Sequence, residues 1–395
     1  MSTAAQSAGG GVAWRGPRPN SREVVLLLCV LTLIFLFSFT AFVSRQYHKK
    51  IHTLADEWFA AGEERLQAGD PDGALTDYQN ALVYAPNNTK FQFHLATALV
   101  EARRYDQARP YLLTLLSESP GSGEVNLQLA RLAARNNSLA DAERYYQGAI
   151  YGEWINDDSI AMRWQIRREF CNFLISKAAV NQAIPAVMDL AENTPDGDSA
   201  GLKVVGQLLL RTQQWTRAQQ LYRSLLVSDR HDEEAIAGAG LAAFELGEFA
   251  DALEDFNRLS PERRGQPEIA RAYEMAHRAL AMSPYLGGLS EQVRAQRAEN
   301  ELSLAQARAQ SCARRLGISL LETPPRTELQ ITYATAQTMG DNWNLRNLRY
   351  FPDRLEAAMQ TAFAIENAAA KECGEPQGDD RALWLLGRSR NGVNR

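Results

Sequence analysis

Residues 58–86 read WFAAGEERLQAGDPDGALTDYQNALVYAP. Gly62 and Ala74 are small residues twelve positions apart, and the bulky Tyr78 follows Ala74 by four, one helical turn on. The motif returns downstream. Small residues stand at Gly62, Ala96, Ala130, Cys171, Gly206 and Gly240. Alanines stand at Ala74, Ala108, Ala142, Ala183, Ala218 and Ala252, and both series have the spacings 34, 34, 41, 35 and 34. Large residues follow four later at Tyr78, Leu112, Tyr146, Tyr222 and Phe256, and Pro86, Pro120 and Pro195 sit near unit ends. A fixed period of this length marks stacked supersecondary units. The first small residue lets two helices approach, the alanine does the same on the second helix, and the aromatic or Leu side chain fills the groove between them. One such unit cannot cover its own apolar face, so neighbours must stack.

In this the chain resembles the tetratricopeptide repeat family. The first unit carries the resemblance best, with Trp58, Ala61-Gly62, Gly69, Ala74, Tyr78, Ala81 and Pro86 all at the family's positions. The expected fold is all-α: an α-solenoid of about six helix–turn–helix repeats in a right-handed superhelix over 55–266, with units at 55–88, 89–122, 123–156, 164–197, 199–232 and 233–266. The long third spacing places a lengthened helix or loop at 155–163. Pro110 and Pro185 are expected early in second helices, where N–H groups lack partners. The resemblance implies protein or peptide binding on the face lined by the first helices. On that template Phe93, Arg131, Arg135, Arg168, Asn172, Lys203, Gln207 and Arg211 point into the groove, beside Phe59, Glu63, Thr97, Leu127, Leu241 and Phe244. Clustered cations there would favour an acidic peptide or a C-terminal tail. Arg168 and Asn172 resemble the first pair of the family's carboxylate clamp, whereas Val204, Glu234 and Gly238 depart from its later positions.

Upstream of the repeats, residues 24–43 read VVLLLCVLTLIFLFSFTAFV without charge, Pro or Gly. About twenty helical residues cross the roughly 30 Å of bilayer hydrocarbon, so the stretch is expected to be a transmembrane signal anchor touching lipid. It is too long for a signal-peptide core. Residues 1–23 are expected as a flexible tail and 44–54 as a juxtamembrane linker. Arg15, Arg18 and Arg22 precede the span and Arg45, Lys49 and Lys50 follow it, so flanking charge does not set orientation. A short leading tail favours export of the rest, with residence in a bacterial inner membrane and a periplasmic repeat domain. The formal net charge is −5, but the chain beyond residue 50 holds 36 basic against 46 acidic residues. That balance argues against nucleic-acid binding.

Downstream, 267–284 is expected to cap the array, and 285–395 to form a helical region of no recognised family, with helices over 289–316, 352–373 and 379–387 broken by Pro324-Pro325. Cys312 and Cys373 each lie near the end of a long helix before Gly317 and Gly374, which leaves open a disulfide or two separate thiols. No phosphate loop, nucleophile elbow or H-E-x-x-H motif is present, and no cofactor or metal is expected. His48 and His52 share a helix face but sit in a basic juxtamembrane stretch, and the acidic runs at 157–158, 232–234 and 379–380 suit turns and helix starts. The reading is a non-enzymatic, membrane-anchored scaffold in assembly, secretion or envelope biogenesis. The alternatives are a cytosol-facing tethered adaptor, an enzyme seated in 285–395, and self-association into a homo-oligomer.

Overall fold

The computed structural model describes residues 21–154, 159–340 and 343–390. The chain forms two compact units, residues 1–155 and 156–395. Most of the expected tail, and the acidic pair at 157–158, lie outside the described residues.

The first unit begins with α1 (Ser21–Gln67), a single helix of 47 residues, about 70 Å long at 1.5 Å per residue. No Gly or Pro interrupts residues 21–61. Residues 44–54, expected as a linker, are therefore continuous helix, as are residues 21–23 of the expected tail. The side chains from Leu26 to Val43 are almost all exposed, and this part of the helix is long and apolar enough to cross a membrane. The other end of α1 is the first helix of the first repeat. It packs on α2 (Pro71–Tyr84), followed by the pairs α3 (Thr89–Glu101) with α4 (Tyr105–Glu118) and α5 (Gly123–Arg135) with α6 (Leu139–Tyr151).

Caps explain where α2, α3 and α5 start. Asp70 accepts from the Gly73 N–H at 2.9 Å, Asn88 from Lys90 at 3.0 Å and Ser122 from Val125 at 3.3 Å. Tyr78 is fully buried, and a Cβ on Gly62 would stand 2.7 Å from its ring, so the two helices meet only because Gly62 has no side chain. After α6 the chain folds back on the start of α5: Gly123 N–H donates to the Glu153 carbonyl at 2.8 Å, and Trp154 Nε1 to that of Ala149 at 2.9 Å.

The second unit continues the repeats with α7 (Ser159–Ser176) and α8 (Val180–Glu192), α9 (Ser199–Arg211) and α10 (Trp215–Ser228), and α11 (Glu233–Leu246) and α12 (Phe249–Asn257). The insertion lengthens a helix: α7 has 18 residues where α9 has 13. Pro110 and Pro185 are the sixth residues of α4 and α8, further in than expected, so each helix forgoes one backbone hydrogen bond there. Tyr222 on α10 is pinched between two glycines, since a Cβ on Gly206 would lie 2.5 Å from its ring and one on Gly238 2.3 Å.

Each turn from first to second helix places one residue in the left-handed region. These are Gly69, Arg103, Asn137, Ala178, Gln213 and Gly247, with φ between 53° and 80°. Their spacing is that of the repeat, yet only two are glycine.

Beyond the repeats come the short α13 (Pro261–Arg264), α14 (Pro267–Met282), α15 (Glu291–Leu316), α16 (Glu328–Thr338), α17 (Leu345–Tyr350), α18 (Pro352–Cys373) and α19 (Gly378–Arg390). One hydrophobic core runs from Cys171 to Leu386, so the described residues from 285 onward pack onto the later repeats. Alanines make the α15–α18 contact close: Ala295, Ala298, Ala305 and Ala309 on one side, Ala358, Ala362 and Ala369 on the other, are all fully buried. Near the helix starts, Arg390 bonds Glu356 of α18 and stacks over Tyr285, just before α15, while at the helix ends Cys312 is bonded to Cys373 with a Cα–Cα distance of 5.9 Å. The two helices therefore run in the same direction.

Candidate functional site

The face of the first helices differs between the units. In the first unit it is aromatic. Phe59 stacks on Phe91 with centroids 4.7 Å apart, meets His94 edge-on at 4.9 Å and carries Lys90 Nζ at 4.6 Å over its ring. Phe93 is half-buried and edge-on to His94. The Tyr78 hydroxyl donates to Glu63, whose Oε1 lies 2.7 Å from His94 Nδ1. Burial first, and then Glu63, pushes the Tyr78 phenol well above its usual range. Arg131 and Arg135 are exposed on α5, with Arg135 stacked over Tyr105 at 4.7 Å. Leu127, expected in the groove, is buried in the helix packing.

In the second unit the same face is polar and largely paired. Lys203 Nζ lies 3.1 Å from Asp232 and 3.4 Å from Glu234, and Gln207 donates to Glu234 at 2.6 Å. The hydrogen bond that Lys203 donates to Asp232 raises the Lys203 pKa. Burial works against ionisation of Asp232, but the N–H of Ala235 and the Lys203 ammonium outweigh it and hold the carboxyl below its usual value. Lys203 is thus a neutralised cation. The Arg168–Asn172–Arg211 group is different. Arg211 donates to Asn172 Oδ1 at 2.7 Å, Asn172 donates to the Arg168 carbonyl at 3.0 Å, and all three side chains are exposed. Arg168 also lies over Trp164 at 5.6 Å.

Sequence reasoning missed a cavity of about 630 Å³ between α11, α14 and the first turn of α19. Leu241, Phe244 and Met275 give it an apolar floor, and Glu245, Glu268 and Arg381 stand on its walls. Glu245 reaches water, yet crowding raises its carboxyl; Arg388 and Arg381 pull the other way, and Glu268 adds to the rise. Only Leu241 and Phe244 carried a signal for it, through the repeat register. Among the described residues, no group of three or more His, Cys, Asp or Glu is placed to hold a metal.

This pairwise packing is matched by family comparison: residues 59–122, 93–158 and 206–267 each match the tetratricopeptide repeat. These segments are tetratricopeptide repeats. The matches pass over 159–205, where the period is longest. No curated protein matches the chain. Among solved structures it is similar to YrrB, described as a TPR protein with an unusual peptide-binding site, at 12% identity and TM-score 0.40, covering 50% of this chain and 97% of that one. It is also similar to Pseudomonas aeruginosa pilF at 14% identity and TM-score 0.39, covering 56% and 97%. A tetratricopeptide repeat protein from Parabacteroides merdae covers 85% of this chain and 99% of its own at 10% identity and TM-score 0.38. The tetratricopeptide fold is a protein-interaction scaffold, and no catalytic family is indicated.

Proposed function

We propose that this protein is a membrane-anchored scaffold whose tetratricopeptide repeats bind polypeptide segments of other proteins on the extracytoplasmic side of a bacterial inner membrane. The observation that carries the reading is α1, in which an exposed apolar stretch long enough for a bilayer runs without a break into the first repeat. In water such a surface would be unfavourable by about 25 cal/mol per Å² of apolar area. Lipid removes that cost.

The Cys312–Cys373 bond supports the extracytoplasmic side, because structural disulfides persist in oxidising compartments. The test uses the four cysteines of the full chain. Membranes are denatured without reductant in a thiol-reactive polymer and the shift in gel mobility is read. Modification of Cys29 and Cys171 alone supports export; modification of all four supports the cytosol-facing adaptor.

For the ligand, Arg168, Asn172 and Arg211 are exposed donors of the second unit, with Arg211 bonded to Asn172, and they favour an acidic segment or chain-end carboxylate. Lys203 and Gln207, already engaged by Asp232 and Glu234, are assigned to holding α9 on α11. Arg131 and Arg135 of the first unit, with the aromatic patch around Phe59 and Phe93, are proposed as a second contact region. Exchanging Arg168 and Arg211 together for Glu should abolish capture of partners crosslinked in membranes. Unchanged capture, with the fold intact by circular dichroism, overturns the acidic-ligand reading.

A further inference from the structure

The last helices bury charge where their pattern calls for apolar side chains. Glu301 lies on the stripe Ala298, Leu302, Ala305 and Ala309 of α15, and Glu366 on the stripe Ala358, Ala362 and Ala369 of α18. Glu366 is fully buried and Glu301 is 3% exposed. Both oxygens of Glu366, Oε2 of Glu301 and Oδ1 of Asp380 are shut from water without a hydrogen-bond partner among the described residues.

The charged neighbours come from four helices. On α15, Arg308 Nε stands 3.0 Å from Glu366 Oε2, an ion pair without hydrogen-bond geometry, and its Nη1 stands 3.8 Å from Asp380. Arg297, also on α15, donates to the carbonyls of Leu280 and Ser283. From α14, Arg278 meets Asp379 at 3.1 Å, and α19 brings Asp379 and Asp380 on its first turn. Two carboxyls, Glu366 and Asp380, thus share the guanidinium of Arg308, and Glu301 adds a third acid that acts on Glu366. Ionising all of them together is unfavourable, because buried charge is tolerated only when paired.

The framework around the cluster is unequal. The disulfide staples α15 to α18, whereas α19 has no covalent tie: Leu383 and Leu386 of its later turns are buried in the core, Arg390 meets Glu356 and Ser389 the Gly247 carbonyl, while its first turn is held by the two acidic residues Asp379 and Asp380. We propose that the cluster is a protonation-controlled latch: with Glu301 and Glu366 protonated, the first turn of α19 docks on Arg308, and with both ionised it is released. Burial, and then Asp379, raises Glu301 to about 8, with Arg297 opposing. Burial also raises Glu366 to about 8, against the pull of Arg308 and with help from Asp380 and Glu301. Acids raised in the docked state mean that docking binds protons, so the latch holds at low pH, weakens as pH rises above the ordinary carboxylate range, and has lost the contribution of protonation once pH passes about 8. Gly378 and Arg381 wall the cavity at α11 and α14, so release of α19 opens that cavity.

The test is hydrogen exchange of the full chain in detergent micelles at about pH 6.5 and about pH 8.5, corrected for intrinsic rates, with protection of 378–390 falling about tenfold or more while 233–246 stays level. Glu301→Gln should remove most of that fall. Asp380→Asn, which takes one repelled charge off α19 itself, should shrink it and serves if Glu301→Gln does not fold. Protection of α19 that tracks α11 overturns the latch, as does a pH response undiminished in both variants.

Discussion

Across each glycine-containing repeat pair the decisive contact joins residues at one short separation: Gly62 with Tyr78, Gly206 with Tyr222, Gly240 with Phe256. In the C-terminal helices the ties are long. Cys312 and Cys373 are 61 residues apart, Arg278 and Asp379 are 101 apart, and Ser389 reaches Gly247 across 142. Contacts of the first kind recur with the period and need only a neighbour, so each repeat is stabilised by what lies beside it. Contacts of the second kind close large loops, whose entropy cost must be met before any gain, and a covalent bond there acts chiefly by restricting the unfolded chain.

The strongest way to break this contrast is Gly206→Leu. Its side chain has no room beside Tyr222, and the loss should reach about 3 kcal/mol or more, enough to unfold the second unit. If repeats are stabilised locally, hydrogen exchange in α2 to α6 should stay unchanged; collapse of both units together would remove the distinction. Next in size is the double variant Cys312→Ser with Cys373→Ser. It should cost about 2–4 kcal/mol in chemical denaturation, with the loss of protection concentrated in α15 to α19.

A helix-start change sharpens the comparison on the repeat side. Asp232 caps α11 and pairs with Lys203, so Asp232→Ala should cost about 1–2 kcal/mol at neutral pH. The carboxyl is held below its ordinary value in the fold. Its contribution is therefore present above the ordinary carboxylate range and vanishes as pH falls through the lowered value. Wild type and variant should converge in acid, and a gap that stays constant with pH would show that the ionised carboxylate is not what stabilises α11. The smallest effect is a gain. Ala178 holds φ 53° in a turn where Gly69 and Gly247 stand in other repeats, so Ala178→Gly should stabilise by about 0.5–1 kcal/mol in thermal melts.

Much of the fold was legible because the repeats are written in small residues at a constant interval. Asn172 and Arg211 belong to the same register, and the structure joins them by a hydrogen bond. The state of Lys203 did not follow. Its neutralisation depends on Asp232 and Glu234 in the next repeat, whose side chains turn back toward α9. The left-handed turns were hidden for a related reason: Arg103, Ala178 and Gln213 adopt a backbone their residue types do not advertise, and packing of the flanking helices imposes it. Glu301 and Glu366 did leave a trace, as acids on apolar stripes, but a stripe does not say what lies opposite.

The sequence by itself determined the repeat, its period, the helical character of the chain and the apolar stretch of α1, because each depends on spacings or composition within a few dozen residues. Tertiary structure alone decided the parallel course of α15 and α18, the closure of Cys312 on Cys373, the cavity beside α19 and the burial of Glu301 and Glu366. Those contacts join segments tens to more than a hundred residues apart with no period linking them, so only the packed core selects which surfaces meet.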